Sequence, residues 1–199
     1  MFPNTNRTAS GNPGKIPVEL VRSRRKTLAL EVQDGRVLLR APLRCPRATL
    51  EAFVEKNRGW LSRRLRDQAA RREALAAIPA LSEEELAALQ KRGRTVFAER
   101  AAYFAPLVGV RYGRIHVRRQ RSKWGSCSSQ GNLNFNCLLL LAPAAVLDYV
   151  VVHELCHRLE MNHSPRFWAE VERVLPDWRE ARRWLREQGD TLMARLPRD

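Results

Sequence analysis

The sequence contains few cysteines and histidines, and it has no apolar run long enough to cross a membrane. Its four cysteines include no Cys-x-x-Cys pair, so a zinc ribbon is not expected, and a disulfide scaffold is unusual at 199 residues. The longest apolar run, residues 137–147, is too short for a membrane span and contains Pro143. The polar residues 1–15 lack the apolar segment of a secretory signal. These absences predict a cytoplasmic protein.

Acidic residues are scarce beside basic ones, with 21 Asp and Glu against 36 Lys and Arg and a formal net charge of +15. Such an excess is typical of proteins that meet nucleic acid, acidic proteins or anionic surfaces, although a general enrichment in arginine explains it equally well. Basic runs occupy residues 22–26, 58–72 and 111–123. The last run contains no acidic residue and leads to the candidate site described below. Nucleic acid is therefore a candidate partner.

Alternating apolar residues on both sides of an Asp-Gly pair predict a β-hairpin within residues 15–45. The pairs of facing residues that this turn predicts are Val32 with Val37 and Leu30 with Leu39. Residues 1–14, which come before the hairpin, read as a flexible tail.

Apolar residues at helical spacing predict a helical segment over residues 46–106. Its first helix is expected to end at about Ala77. The second begins with a capping box formed by Ser82 and Glu85 and runs to about Pro106.

Residues 107–199 alternate between strand and helix patterns and contain the candidate site. The expected elements are a strand at residues 115–117, a loop at 122–132, a strand from Asn132 to Leu139, a helix from Pro143 to about Met161, and two further helices. The chain is therefore predicted to be an α+β protein with a small mixed sheet, a helix that bears the active site, and the N-terminal hairpin.

Three of the four histidines lie within residues 149–168. On a helix, residues four apart share a face, so His153 and His157 can direct their imidazoles to one point with Glu154 beside them. A catalytic zinc site needs three protein ligands and one open position. His163 can supply the third ligand if the helix ends near Glu160, and Asn162 tolerates the left-handed backbone that such a reversal often needs.

A buried helix whose histidines only make hydrogen bonds is the alternative interpretation. It is disfavoured because three imidazoles and a carboxyl on an otherwise apolar helix are costly to satisfy without a metal. A zinc ion activates water at neutral pH, and Glu154 can accept a proton from that water and pass it to the leaving amine. The pattern therefore predicts hydrolysis of an amide, most naturally a peptide bond.

The segment YVVVHELCHRLEMNHSPRFW, together with the upstream RRQRSKWGSCSSQGNLNFNCLLLLAP, resembles the YgjP-like metallopeptidases, which are zincins related to the SprT-like and WLM families. The resemblance extends over about residues 18–190 and suggests that residues 15–199 form one such domain. It implies a minimal zincin core, zinc bound by His153, His157 and His163, and Glu154 as general base. Metzincins share this histidine spacing but have glycine at the position of Glu160, which disfavours that assignment.

Further residues near the motif are candidates for contact with a peptide substrate. Zincins commonly bind substrate along an edge strand, and the segment 132–139, with Asn134 and Asn136, is the candidate for that strand. An interior strand fits the same pattern equally well. Trp124 and Ser126 can line the cleft, or Trp124 can be a core residue that fixes a tight loop.

Tyr149 lies one helical turn before His153 and is a candidate donor to the oxyanion of the reaction. The alternative is a core tyrosine whose hydroxyl bonds elsewhere in the protein.

Two rival functions from other classes stay open at this point. One is a nucleic-acid-binding protein whose zinc site is structural or vestigial, and the other is a zinc hydrolase that acts on a non-peptide amide. Salt-sensitive nucleic-acid binding without any cleavage would favour the first, and cleavage of small amides alone would favour the second.

Overall fold

The computed structural model describes residues 16–197, and it divides the chain into two compact units, residues 1–76 and 77–199. The predicted tail at residues 1–14 lies outside the described residues. Among the described helices, none is long and apolar enough to pass through a membrane. The elements of the first unit are β1 (Val18–Ser23), β2 (Ala29–Gln33), β3 (Arg36–Pro42), α1 (Arg47–Lys56) and α2 (Arg58–Ala76).

The first unit is built around the predicted hairpin. Strands β2 and β3 pair antiparallel with Leu30 opposite Leu39 and Val32 opposite Val37, so the predicted register is confirmed. The turn residues Asp34 and Gly35 both have positive φ, 49° and 76°, as a two-residue turn between twisted strands requires. Strand β1 adds a third, parallel strand on the other side of β3, which was not predicted.

The single helix expected up to Ala77 is wrong, because the chain forms two helices that are separated at Asn57. The side-chain amide of Asn57 donates a hydrogen bond of 2.7 Å to the carbonyl of Phe53. Asparagine competes in this way with the helical backbone pattern, and Gly59 next to it further weakens the helix.

The second unit contains α3 (Glu83–Val108), β4 (Ile115–Arg118), β5 (Gly125–Cys127), β6 (Leu133–Asn136), a 3-10 helix (Cys137–Leu141), α4 (Ala144–Cys156), α5 (Pro165–Val174) and α6 (Trp178–Met193). The predicted capping box is confirmed, since Ser82 accepts from the backbone of Glu85 and the Glu85 carboxylate accepts from the backbone of Ser82. Gly109, with φ of 83°, ends α3 in the left-handed conformation that glycine adopts readily.

The sheet of the second unit has the order β4-β6-β5, so β6 is its central strand. Of the two alternatives for residues 132–139, the edge strand is therefore wrong and the interior strand is the one that forms. The strand is also shorter than predicted, since it spans Leu133–Asn136. The side-chain oxygen of Asn136 accepts a hydrogen bond from the backbone N–H of Leu138. This bond caps the 3-10 helix that follows β6. Strand β5 lies inside the segment that was predicted to be a loop.

The core of the second unit lies between α3, the sheet and α4. Phe97 of α3 stacks on Phe135 of β6 with ring centres 4.6 Å apart. Gly93 allows α3 to approach β4 closely, since a Cβ there would lie 3.0 Å from Val117. The predicted α+β class, with a small mixed sheet, the histidine-bearing helix and the N-terminal hairpin, is confirmed.

Candidate active site

Helix α4 carries the first two histidines and the acid between them. His153 and Glu154 lie in its last turn, and His157 follows at the C-terminal cap. The helix ends at Cys156, earlier than the predicted Met161, and turns follow it. His157 and Glu154 are buried, with 8% and 5% of their surface exposed. Two imidazoles and a carboxyl are thus held on one end of a buried helix.

His163 returns to the site by a turn that differs from the predicted one. The side-chain oxygen of Asn162 accepts a hydrogen bond of 3.0 Å from the backbone N–H of Ser164. Asn162 does not adopt the left-handed conformation, because Asp34 is the only described residue other than glycine with positive φ. Ser164 then caps α5 by accepting from the N–H of Phe167. An Asx turn followed at once by a helix cap therefore sets the position of His163.

The three imidazoles converge on one point. The candidate ligand atoms of His153, His157 and His163 all lie within 4.8 Å of one another. The Nε2 atoms of His153 and His163 are 3.0 Å apart, close to the roughly 3.3 Å that separates two nitrogens on a tetrahedral zinc ion. His157 Nδ1 lies 3.0 Å from the carbonyl oxygen of Glu160, which leaves Nε2 free for a metal. This donor set fits a divalent metal ion.

Aromatic rings hold the imidazoles from behind. Phe167 is fully buried, and its ring centre lies 4.6 to 4.8 Å from the centres of all three histidine rings. Trp168 packs against His163 at 5.7 Å with the rings nearly parallel. These contacts fix the ring orientations, as a preformed metal site requires.

Burial keeps the two histidines of the helix neutral. Burial, together with the neighbouring charges of His157 and His163, lowers the pKa of His153 to about 3. Burial also lowers the pKa of His157, against the opposing effect of the Glu160 carbonyl. Neutral imidazole is the form that binds a metal ion.

Glu154 is a buried acid without an ion-pair partner among the described residues. Burial raises the pKa of its carboxyl to about 8, and the charge of Lys123 opposes this only in part. A cation held by the histidines would lower that pKa and compensate the buried charge. The carboxyl therefore supports the same conclusion as the imidazoles.

Strand β5 lies directly against Glu154. A Cβ on Gly125 would be 2.6 Å from the Glu154 Oε1 atom and 2.8 Å from its Cγ, so only glycine leaves room for the carboxyl. β5 pairs with β6 on one side and forms the edge of the sheet on the other. This strand was not predicted from the sequence, in which the short run of small residues after Trp124 is its only signal.

A sequence profile of the family described as "YgjP-like, metallopeptidase domain" matches residues 78–188, more than half of the chain. The chain belongs to the YgjP-like metallopeptidase family. The resemblance found in the sequence is thereby confirmed, and a divalent metal and a peptide or protein substrate follow from the family.

Two other comparisons accompany this assignment. No curated protein matches the chain. Among solved structures, it is similar to the "metallopeptidase zymogen of Pyrococcus abyssi abylysin", with 21% identity and a TM-score of 0.43 over 47% of this chain and 95% of the other.

In this YgjP-like metallopeptidase, the asparagines of β6 bond within the protein. Asn136 is fully buried, and its side-chain amide donates to the carbonyls of Gln120 and Lys123. Asn134 donates to the Ser126 hydroxyl at 3.2 Å. Asn136 therefore has a structural role, and the predicted contact of Asn136 with substrate is wrong. Ser126 points away from Glu154, because alternate residues of a strand face opposite sides and Gly125 faces the acid.

Trp124 and Tyr149 both lie near the site. Trp124 is partly buried and packs against α6, where a Cβ on Gly189 would be 3.1 Å from its ring, as in the core alternative. The Tyr149 ring contacts the His153 ring edge-on, with centres 5.8 Å apart. Burial raises the pKa of Tyr149 to about 12, so its hydroxyl stays protonated and can donate.

Proposed function

We propose that this enzyme hydrolyses peptide bonds with a zinc ion held by His153, His157 and His163 and with Glu154 as general base. The convergence of the three imidazoles within 4.8 Å, beside a buried carboxyl, is the observation that carries the proposal. A zinc ion bound there would polarise the scissile carbonyl and make water nucleophilic at neutral pH. His157 Nδ1 donates to the Glu160 carbonyl, which orients the ring and strengthens Nε2 as a ligand.

Glu154 moves the proton in this proposal. Its carboxyl accepts a proton from the attacking water and passes it to the nitrogen of the leaving amine. Gly125 covers the carboxyl on one side and limits the positions that it can take. The same contact excludes bulk water from that side of the acid, which strengthens its electrostatic effect.

We expect the substrate to bind along the free edge of strand β5. The backbone N–H of Asn136 donates to Trp124, and that of Ser128 donates to Asn132. In an antiparallel pair the hydrogen-bonded positions alternate, so the N–H and C=O groups of Gly125 and Cys127 point to the free edge. An extended peptide that pairs with them would pass Glu154, and backbone pairing gives tolerance of sequence.

Tyr149 is the proposed donor to the oxyanion. Its hydroxyl forms no hydrogen bond with a described residue, and its ring lies against His153. A protonated, uncommitted hydroxyl beside the proposed metal can stabilise negative charge that develops in the transition state.

Glu154→Gln and His163→Ala separate the chemistry from metal binding. We expect Glu154→Gln to keep about one zinc per chain but to lose a factor of roughly 10²–10⁴ in casein hydrolysis, since it removes the proton acceptor. His163→Ala is expected to lose most of its zinc. His116→Ala is the matched control, because His116 is the exposed fourth histidine on β4 and lies outside the cluster.

Zinc content is measured by atomic emission and hydrolysis by release of labelled peptides. Native activity of Glu154→Gln would refute the general base, and unchanged zinc in His163→Ala would refute the third ligand. Cleavage of small amides but of no peptide would favour a non-peptide amidase.

A basic groove supports nucleic acid as a second partner, which would direct the enzyme to nucleic-acid-associated proteins. The groove, of about 580 Å³, lies between α3 and β4, and its polar lining residues are Gln90, Arg94, His116, Arg118, Arg119 and Gln120. Arginines arranged along a groove can neutralise phosphates in sequence-independent binding.

Salt-dependent binding of a fluorescent DNA duplex tests this second proposal. We expect Arg94→Glu with Arg118→Glu to weaken binding by about tenfold or more, because two phosphate contacts become repulsive. The control, Arg63→Glu with Arg64→Glu on α2, makes the same change in net charge elsewhere. Equal losses in both double variants would mean that net charge alone causes the binding.

A further inference from the structure

Arg182 of α6 lies beside the aromatic rings that hold the histidines. The carbon of its guanidinium is 4.7 Å from the centre of the Trp168 ring and 5.8 Å from that of Trp178. Trp168 in turn packs against His163, with ring centres 5.7 Å apart and planes 28° apart. One aromatic layer therefore separates this cation from the candidate metal ligands.

The guanidinium of Arg182 forms no hydrogen bond with any of residues 16–197. The side chain is exposed, and it forms no ion pair with any residue in the described part of the chain. Its neighbours differ, since Arg179 pairs with Glu172 and Arg173 pairs with Glu170. Stacking on a ring occupies the face of a guanidinium and leaves the N–H groups at its edge free for a planar anion such as carboxylate.

The charge of Arg182 lies close to the site. Its guanidinium stacks on Trp168, and the other side of that contact is the packing of Trp168 against His163. A substrate with negative charge near its scissile bond would therefore be favoured.

We propose that Arg182 binds a carboxylate of the peptide substrate, so that the enzyme prefers bonds close to an acidic side chain or to a free C-terminus. This inference rests on the proposed peptidase function. The two ring distances put the guanidinium carbon within about 10 Å of the His163 ring, and an extended peptide advances about 3.3–3.6 Å per residue. The carboxylate recognised by Arg182 therefore lies within about three residues of the scissile bond.

The test compares glutamate with glutamine in otherwise identical peptides. A fluorogenic peptide is built around a bond that the zinc-loaded enzyme cuts in casein, with Glu or Gln at each of three positions on either side in turn. We expect one position at which Glu raises kcat/KM about tenfold over Gln, as a charge-assisted hydrogen bond would. Arg182→Gln should reduce that ratio to about one, because the neutral amide cannot form the charge-assisted bond.

Arg183→Gln is the matched control, because it removes the same charge from the next residue of α6, whose guanidinium does not stack on either tryptophan ring. It should keep the tenfold preference. Arg182→Lys keeps the charge but loses the planar edge, so an intermediate ratio is expected. Thermal unfolding of each variant checks that loss of the ring contact has not changed the fold.

Peptides that end two residues after the scissile bond, with a free or an amidated C-terminus, distinguish the two sources of carboxylate. Two results would overturn the proposal while leaving the peptidase function intact. One is that Glu and Gln peptides are cut at equal rates at every position and that free and amidated ends are also cut at equal rates. The other is that Arg182→Gln keeps the native preference.

Binding measurements test the role of Arg182 even if no peptide is cut. Fluorescence polarisation with zinc-loaded Glu154→Gln should show about tenfold tighter binding of at least one Glu-containing or free-ended peptide of the series than of its Gln or amidated counterpart. Adding Arg182→Gln should remove this difference. Absence of the difference in Glu154→Gln would refute the role of Arg182, whereas absence of cleavage alone would refute only the proposed hydrolysis.

Discussion

At the scale of single residues, Gly125 and Glu154 depend on each other. The carboxyl of Glu154 occupies the space that a side chain at position 125 would need, with a closest approach of 2.6 Å. Because the acid is buried, it cannot move aside into solvent, and a side-chain atom added at position 125 displaces it. The absence of a side chain at one position thus defines where the proposed base can lie.

Gly125→Ala is therefore expected to lower kcat for peptide hydrolysis by about 100-fold, because a displacement of about 1 Å is enough for such a loss. Zinc content should stay at the native level, since position 125 does not contact the histidines directly. Gly59→Ala is the control, as a Cβ there meets no atom within 4 Å. Native kcat in Gly125→Ala would show that Glu154 needs no fixed position.

At the scale of elements, an ion pair fixes α4 to α3. The guanidinium of Arg100 donates to both carboxylate oxygens of Asp148, at 2.6 and 2.7 Å. Asp148 lies five residues before His153 on the same helix. This partly buried, bidentate ion pair restricts sliding and rotation of α4, the helix that bears two of the proposed metal ligands.

Asp148→Ala should lower the free energy of unfolding by about 2 kcal/mol, because it leaves the guanidinium of Arg100 without its carboxylate. Chemical denaturation measures the change, and zinc affinity should fall with it. Glu51→Ala, which removes an exposed contact to Arg47 on α1, should leave stability nearly unchanged. A change in Asp148→Ala no larger than in this control would mean that packing alone positions α4.

At the scale of the whole molecule, each unit has its own apolar cluster. The cluster of the second unit is formed by residues between Leu81 and Leu196, and that of the first by residues between Val18 and Val54. The family match at residues 78–188 lies entirely within the second unit. The proposed site, including Arg182, is also made of residues from this unit alone.

A fragment of residues 77–199 is therefore expected to fold and to bind zinc with an affinity close to that of the full chain. Circular dichroism and zinc titration measure the two properties. If the fragment is unfolded or binds no zinc, the first unit contributes to the site or to its stability, and the single domain of residues 15–199 predicted from the sequence is the better description.

Local patterns in the sequence were enough for several elements. The hairpin register follows from an Asp-Gly turn, the start of α3 follows from a capping box, and the common face of His153 and His157 follows from the helical period. Each of these depends on residues within a few positions of one another, so propensity and spacing decide them. The break at Asn57 was missed because a single side-chain hydrogen bond outweighed a continuous apolar pattern.

The tertiary structure alone decided which strand is the edge, which atoms meet Glu154, and that Arg182 stacks on the tryptophan that packs against His163. The sequence pattern of β6 fits a central strand and an edge strand equally well. Alternation of apolar and polar residues indicates that one face of the strand is buried, but it does not indicate whether a strand pairs on each side. Contacts between residues such as Gly125 and Glu154, or Arg182 and Trp168, arise from packing between separate elements. The spacing of residues along the chain does not predict these contacts, because they form only when the elements pack against one another.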